Sequence, residues 1–143
     1  MKRIVFGAFQ GLAWIVFVVV LAQFFLAGIG IFGEEAFGEG AIGPHAIAGL
    51  LLVPTSLVLL FLAGVAAMTG TMPGRRVGLA ALLFALLIVQ FILGGPAQGI
   101  SPFVAALHPV NALILLGVSF TLARGGRPSK MAEPEAAAPS RVR

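Results

Sequence analysis

Four long apolar runs separated by short polar punctuation leave this chain few folds to choose from. They cover residues 4–32, 44–69, 77–95 and 102–123. Each is long enough to supply the roughly 20 helical residues that cross a bilayer core. The first exceeds that length and must tilt or project beyond the membrane. None alternates with period two, and all are longer than the ~9–11 residues of a membrane barrel strand. The expectation is an all-α protein: a four-transmembrane-helix bundle over residues 1–124, made of two repeated helical hairpins.

Composition excludes the soluble alternatives. Hydrophobic residues are 59% of the 143 and charged residues only 10%, whereas soluble chains carry about 25% charged residues. The absence of cysteine removes disulfides, thiolate-ligated metal centres and the thioether attachment of c-type haem. The absence of tyrosine removes tyrosyl acid–base and radical chemistry. Serine, histidine and a carboxylate have no way to converge within the bilayer, so a non-enzymatic role is favoured.

The connections carry turn chemistry. Residues 33–43 are rich in glycine and acid, residues 70–76 hold a Pro-Gly turn, and residues 96–101 form a short Gly/Pro link. Pro44 and Pro102 stand where a first helical residue would, and Ser101 is placed as an N-cap. Pro54 is expected to kink the second span. Lys2, Arg3, Arg75, Arg76, Arg124, Arg127, Lys130, Arg141 and Arg143 are all the basic residues, and all fall on one expected side. Glu34, Glu35 and Glu39 mark the other. The positive-inside rule then makes both termini cytoplasmic. The cations read as topology signals and headgroup contacts, and the basic balance does not imply nucleic acid. Residues 125–143 read as a disordered cytoplasmic tail. Lys2 and Arg3 followed by Val20-Leu21-Ala22 resemble a cleavable leader, but the apolar run continues well past Ala22, so a retained span is expected.

The two halves resemble each other. Gln23-Phe24-Phe25-Leu26-Ala27-Gly28 ends the first span and Gln90-Phe91-Ile92-Leu93-Gly94-Gly95 the third. A histidine opens each following span, His45 and His108, and a serine follows each 11 residues later, Ser56 and Ser119. Eleven residues is close to three helical turns, so each pair shares a face. Those faces read His45, Gly49, Leu52, Ser56 and His108, Asn111, Leu115, Ser119, and are expected to turn inward.

Polar groups in hydrocarbon are costly and face a bundle interior or mark a site. Gln23 and Gln90 can serve as hydrogen-bonding glue between helices, and Gly28, Gly49, Gly94 and Gly95 can permit close approach. The same residues also fit a cofactor pocket. His45 and His108 are candidate axial ligands of a b-type haem, whose macrocycle brings four nitrogens of its own. Gly49, Gly94 and Gly95 would leave room beside the porphyrin, Asn111 would orient His108, and Gln23 and Gln90 would line the site. Two histidines alone make a poor zinc or copper site, which takes three or four ligands. His108 is expected about two turns into its span. Counted from the cytoplasmic ends, straight helices would set the histidines about 13 Å apart in depth.

The stretch Gln90-x-x-Leu93-Gly94-Gly95, Ser101-Pro102, Ala106-Leu107-His108 and Ala112 resembles the third and fourth helices of one half of the haem A synthase family. That resemblance implies a four-helix unit with haem-liganding histidines in its second and fourth helices, here His45 and His108. Haem A synthases carry a Glu four residues before the second-helix histidine and an Arg after it, where this chain has Ala41 and Ala46; their paired loop cysteines are also absent. The element His108-Pro109-Val110-Asn111-Ala112 is similar to one found in small uncharacterised bacterial four-helix membrane proteins, which implies a bacterial cytoplasmic membrane. Three roles follow: haem b binding for electron transfer or haem handling; a cofactor-free accessory subunit of a larger membrane complex; or a small transporter, workable only as a homo-oligomer.

Overall fold

The computed structural model describes residues 2–33, 36, 38, 40 and 42–125. The three loop glutamates, Ala41 and residues 126–143 lie outside that set, and with them the expected acidic loop and most of the expected tail. The elements in order are α1 (Lys2–Phe32), α2 (Gly43–Met68), α3 (Gly74–Gly94), a 3-10 turn (Pro96–Gly99), α4 (Pro102–Ala105) and α5 (Leu107–Arg124). No strand occurs among the described residues. The chain is all-helical, and four of its stretches are long and apolar enough to cross a membrane: α1, α2, α3 and the stretch from Pro102 to Arg124. It is built as a multi-pass membrane protein.

Helix α1 packs against α2 and α5, and α3 packs against the same two. The four long helices therefore stand at the corners of a square, with α1 facing α3 and α2 facing α5 across its diagonals. The interior is filled from all four: Phe9, Val16, Leu59, Leu83 and Leu122 are fully buried, with Ala13, Ala63, Ala66 and Ala80 between them. The small residues let the backbones approach while the larger ones fill the gaps. The outer surface is equally apolar, with Phe25 70%, Phe61 69% and Leu113 61% exposed. Apolar residues on both faces are stable only where the surroundings are hydrocarbon.

Local chemistry sets the helix ends. Gly70, at φ +69°, closes α2: its N–H donates to Ala67 O (2.9 Å) and that of Thr71 to Ala66 O (2.9 Å). That is the left-handed glycine stop in which two end carbonyls find donors. Extended Pro73 precedes α3, which starts a turn before its apolar run and so takes in Arg75 and Arg76. Hydropathy marks only the apolar part of a helix, and its first turn is free to be polar. Helix α2 runs through Pro54 without interruption, and next to it Thr55 Oγ1 donates to Leu51 O (2.7 Å) and Ser56 Oγ to Val53 O (2.7 Å). Ser101 is extended at the N-cap place but makes no side-chain cap bond.

The fourth span departs from the sequence expectation most. It breaks at Ala106 into the single turn α4 and the longer α5. Pro109 accounts for the break, since it has no N–H to offer Ala105 O and its ring crowds that carbonyl. Helix α5 starts afresh at Leu107, and that restart positions His108.

Candidate functional site at the histidine end of the bundle

His45 is the third residue of α2 and His108 the second of α5. His108 thus opens a helix as His45 does, where two turns of helix were expected before it. The helices stand on a diagonal of the square, and the two half-buried rings meet across it with centroids 6.1 Å apart and planes inclined at 60°. The depth count assumed straight helices with level ends, an assumption that the meeting of the two rings contradicts.

Each ring is held from the helix preceding it in sequence. His45 Nδ1–H donates to the backbone carbonyl of Gln23 (3.1 Å) and His108 Nδ1–H to that of Gln90 (3.2 Å). A carbonyl can only accept, so both rings carry their proton on Nδ1. That leaves both Nε2 lone pairs available to accept a proton or bind a metal.

The side chains of the two glutamines differ. Gln90 Oε1 accepts from Asn111 Nδ2 (2.7 Å), which is also 3.0 Å from the carbonyl of Leu86. Asn111 is buried and ties α5 to α3 one turn below His108. Gln23 Oε1 is buried with no hydrogen-bond partner among the described residues. The place three residues after His45, matching Asn111 after His108, holds Ala48.

The glycines divide as well. A Cβ on Gly94 would lie 2.7 Å from His108 Cε1 and 2.9 Å from Nδ1, so the ring lies close against the backbone of α3. A Cβ on Gly49 would instead meet the Gln23 amide, at 3.1 Å from Nε2, and not the His45 ring. Gly95 is exposed, and a Cβ there would face only the carbonyl of Phe91 at 3.4 Å. Gly28 has open space, on an apolar groove of about 480 Å³ along α1 lined by Phe24, Phe25, Ile29 and Phe32. Ser56 and Ser119, though buried, bond back to their own helices, at Val53 O and Leu116 O. They do not join the histidines. Among the described residues no group of three or more His, Cys, Asp or Glu gathers anywhere.

Two polar groups at the opposite end of the bundle escaped the sequence reading. Gln10 Nε2 donates to the carbonyl of Ala123, linking α1 to the end of α5. Arg76, read from sequence only as a topology signal, is buried with its guanidinium 5.8 Å from the Phe6 ring centroid and packed against Gly125. A cation beside the last carbonyls of a helix is favourably placed. Gln10 was open to the argument applied to Gln23 and Gln90, but it has no counterpart in the second half.

No curated protein and no solved structure matches this chain. The resemblance to haem A synthase therefore rests on the quoted residues alone. One family model does match, over residues 23–97, a segment that holds Gln23, His45, Gly49, Gln90 and Gly94 but stops short of His108. That segment is just over half of the chain, and on it the protein belongs to DUF6220, a family of unknown function.

Proposed function

We propose that this membrane protein binds a b-type haem between His45 and His108 and uses it to pass electrons or to carry haem. The observation that carries the reading is the pair of diagonal imidazoles 6.1 Å apart, each with Nδ1 bonded to a backbone carbonyl. His45 and His108 would hold the group, their imidazoles supplying the nitrogen donors that a haem iron takes from a protein. A carbonyl accepting from Nδ1–H is also the usual outer-shell device that fixes the tautomer of a metal-bound histidine and raises its basicity. The donor set would suit haem better than a bare ion, because a macrocycle brings four nitrogens of its own and would ask only two imidazoles of the chain. When bound, haem would supply one-electron chemistry or be the cargo, and the chain's part is to ligate it, exclude water and orient the rings. The bilayer and a membrane-resident redox partner are the surroundings this role needs. The basic end facing the cytoplasm of a bacterial cell belongs to the same reading, by the positive-inside rule.

A second reading is favoured by the Asn111–Gln90 bond and by the histidine bonds themselves, all of which cross between helices. On that reading the polar groups only fasten a cofactor-free accessory subunit of a larger complex. The absorption spectrum of the detergent-purified full chain, produced with ample haem, separates the two. The haem reading expects a Soret band that His45→Ala and His108→Ala alter. A featureless visible spectrum, with a stoichiometric partner protein copurifying, would favour the accessory subunit.

A further inference from the structure

The two histidines share a skeleton but are not held equally. His108 lies against the backbone at Gly94, and its acceptor residue, Gln90, is pinned through its own side chain by buried Asn111. The ring has no room to retreat toward α3, and the Asn111–Gln90 bond fastens α5 to α3 one turn from it. His45 has neither support. Gly49 packs on the Gln23 amide and not on the ring, Gln23 Oε1 has no partner among the described residues, and Ala48 cannot supply one.

Resting on the haem reading, the geometry points to an inequivalent ligand pair in which His45 is the exchangeable ligand. Its release opens a coordination position to a small neutral diatomic ligand of the carbon monoxide or nitric oxide class. Both rings have the direct outer-shell bond, so the difference lies in the packing of His108 on Gly94 and in the fastening of α5 to α3, and the less supported ring is the first to leave. The ligand class follows from the surroundings. The rings sit at one end of a packed apolar interior, with Leu52 and Leu115 buried further along the same faces. A charged ligand would have to be desolvated there, and a neutral diatomic escapes that cost.

The test uses the haem-loaded full chain in detergent, reduced, with carbon monoxide as the probe. Wild type is expected to bind it, with the rate limited by departure of His45. His45→Ala keeps its haem and binds carbon monoxide at least about tenfold faster, whereas His108→Ala loses most of its haem on purification. Ala48→Asn offers Gln23 the partner that Asn111 gives Gln90, and is expected to slow binding about tenfold. A haem spectrum indifferent to saturating carbon monoxide, or equal haem loss from the two histidine variants, overturns the inequivalence while leaving haem binding intact. No Soret band in any variant overturns the haem reading, and this inference with it.

Discussion

The first hairpin, α1 with α2, and the second, α3 with α5, each carry a glutamine and then a histidine, yet hold their polar groups differently. In the second hairpin the glutamine amide, an asparagine and two backbone carbonyls form a connected set. In the first, only the histidine bond joins α1 to α2 at this end, and Gln23 Oε1 is buried without a partner among the described residues. A similar backbone plan therefore does not guarantee similar rigidity. Rigidity depends on whether each buried donor and acceptor is paired, because an unpaired one costs about 1–3 kcal/mol while a made bond returns less.

The largest expected difference between the hairpins comes from their glycines. Gly94→Ala drives a methyl into the His108 ring and should cost about 1–3 kcal/mol as overpacking. Gly49→Ala meets only the end of a flexible amide and should cost well under 1 kcal/mol on the same scale. Denaturation in mixed micelles would compare them, and equal losses would mean that His108 is not held by α3. Next, Asn111→Ala removes the partner of Gln90 Oε1 and should cost about 1–2 kcal/mol. A double-mutant cycle with Gln90→Ala should give a coupling energy near 0.6 kcal/mol and at most about 1.7, the span measured for such bonds in membranes. A coupling of zero would break the account of the second hairpin.

A smaller effect, of opposite sign in the two halves, is expected from replacing each glutamine by leucine. Gln23→Leu deletes an unpaired buried acceptor and should be neutral or stabilising by up to about 1 kcal/mol. Gln90→Leu removes one of the two acceptors of Asn111 Nδ2 and should destabilise. Thermal unfolding midpoints of the two variants should move in different directions, and a shared direction would show that the hairpins are alike after all. Smallest are Ser56→Ala and Ser119→Ala, each breaking a bond within its own helix, with both expected within about 0.5 kcal/mol of wild type. A large effect at either serine would show that it has a partner outside its helix.

Much of this architecture was legible along the chain. Spans of apolar residues, glycine and proline punctuation, and the 11-residue interval from histidine to serine located the helices and their inward faces. Leu52, Ser56, Asn111, Leu115 and Ser119 are indeed buried. Less legible was the site. Pro109 brings the helix break at Ala106, but hydropathy reads straight through it, so His108 looked two turns into a helix that starts afresh at Leu107. Nothing local to Gln90 announces that its oxygen will meet Asn111, 21 residues away. Nor does anything local to Gln23 say that its oxygen will find no partner among the described residues. Arg76 shows the same blindness, since a cation near a helix start reads as a surface marker until Phe6 and the end of α5 close over it.

The sequence by itself determined that this chain must live in a bilayer as four helices. Membrane length and the cost of bare backbone in hydrocarbon leave no other solution. It also determined which few residues are polar inside that bilayer. Only the tertiary structure decided which of them meet. Adjacency across a square bundle depends on how helices far apart in sequence are set against one another, so His45 and His108 can approach to 6.1 Å although 62 residues of chain separate them. The unequal support of those two rings was likewise settled by packing, because whether a buried amide finds a partner depends on a neighbouring helix and not on its own residues.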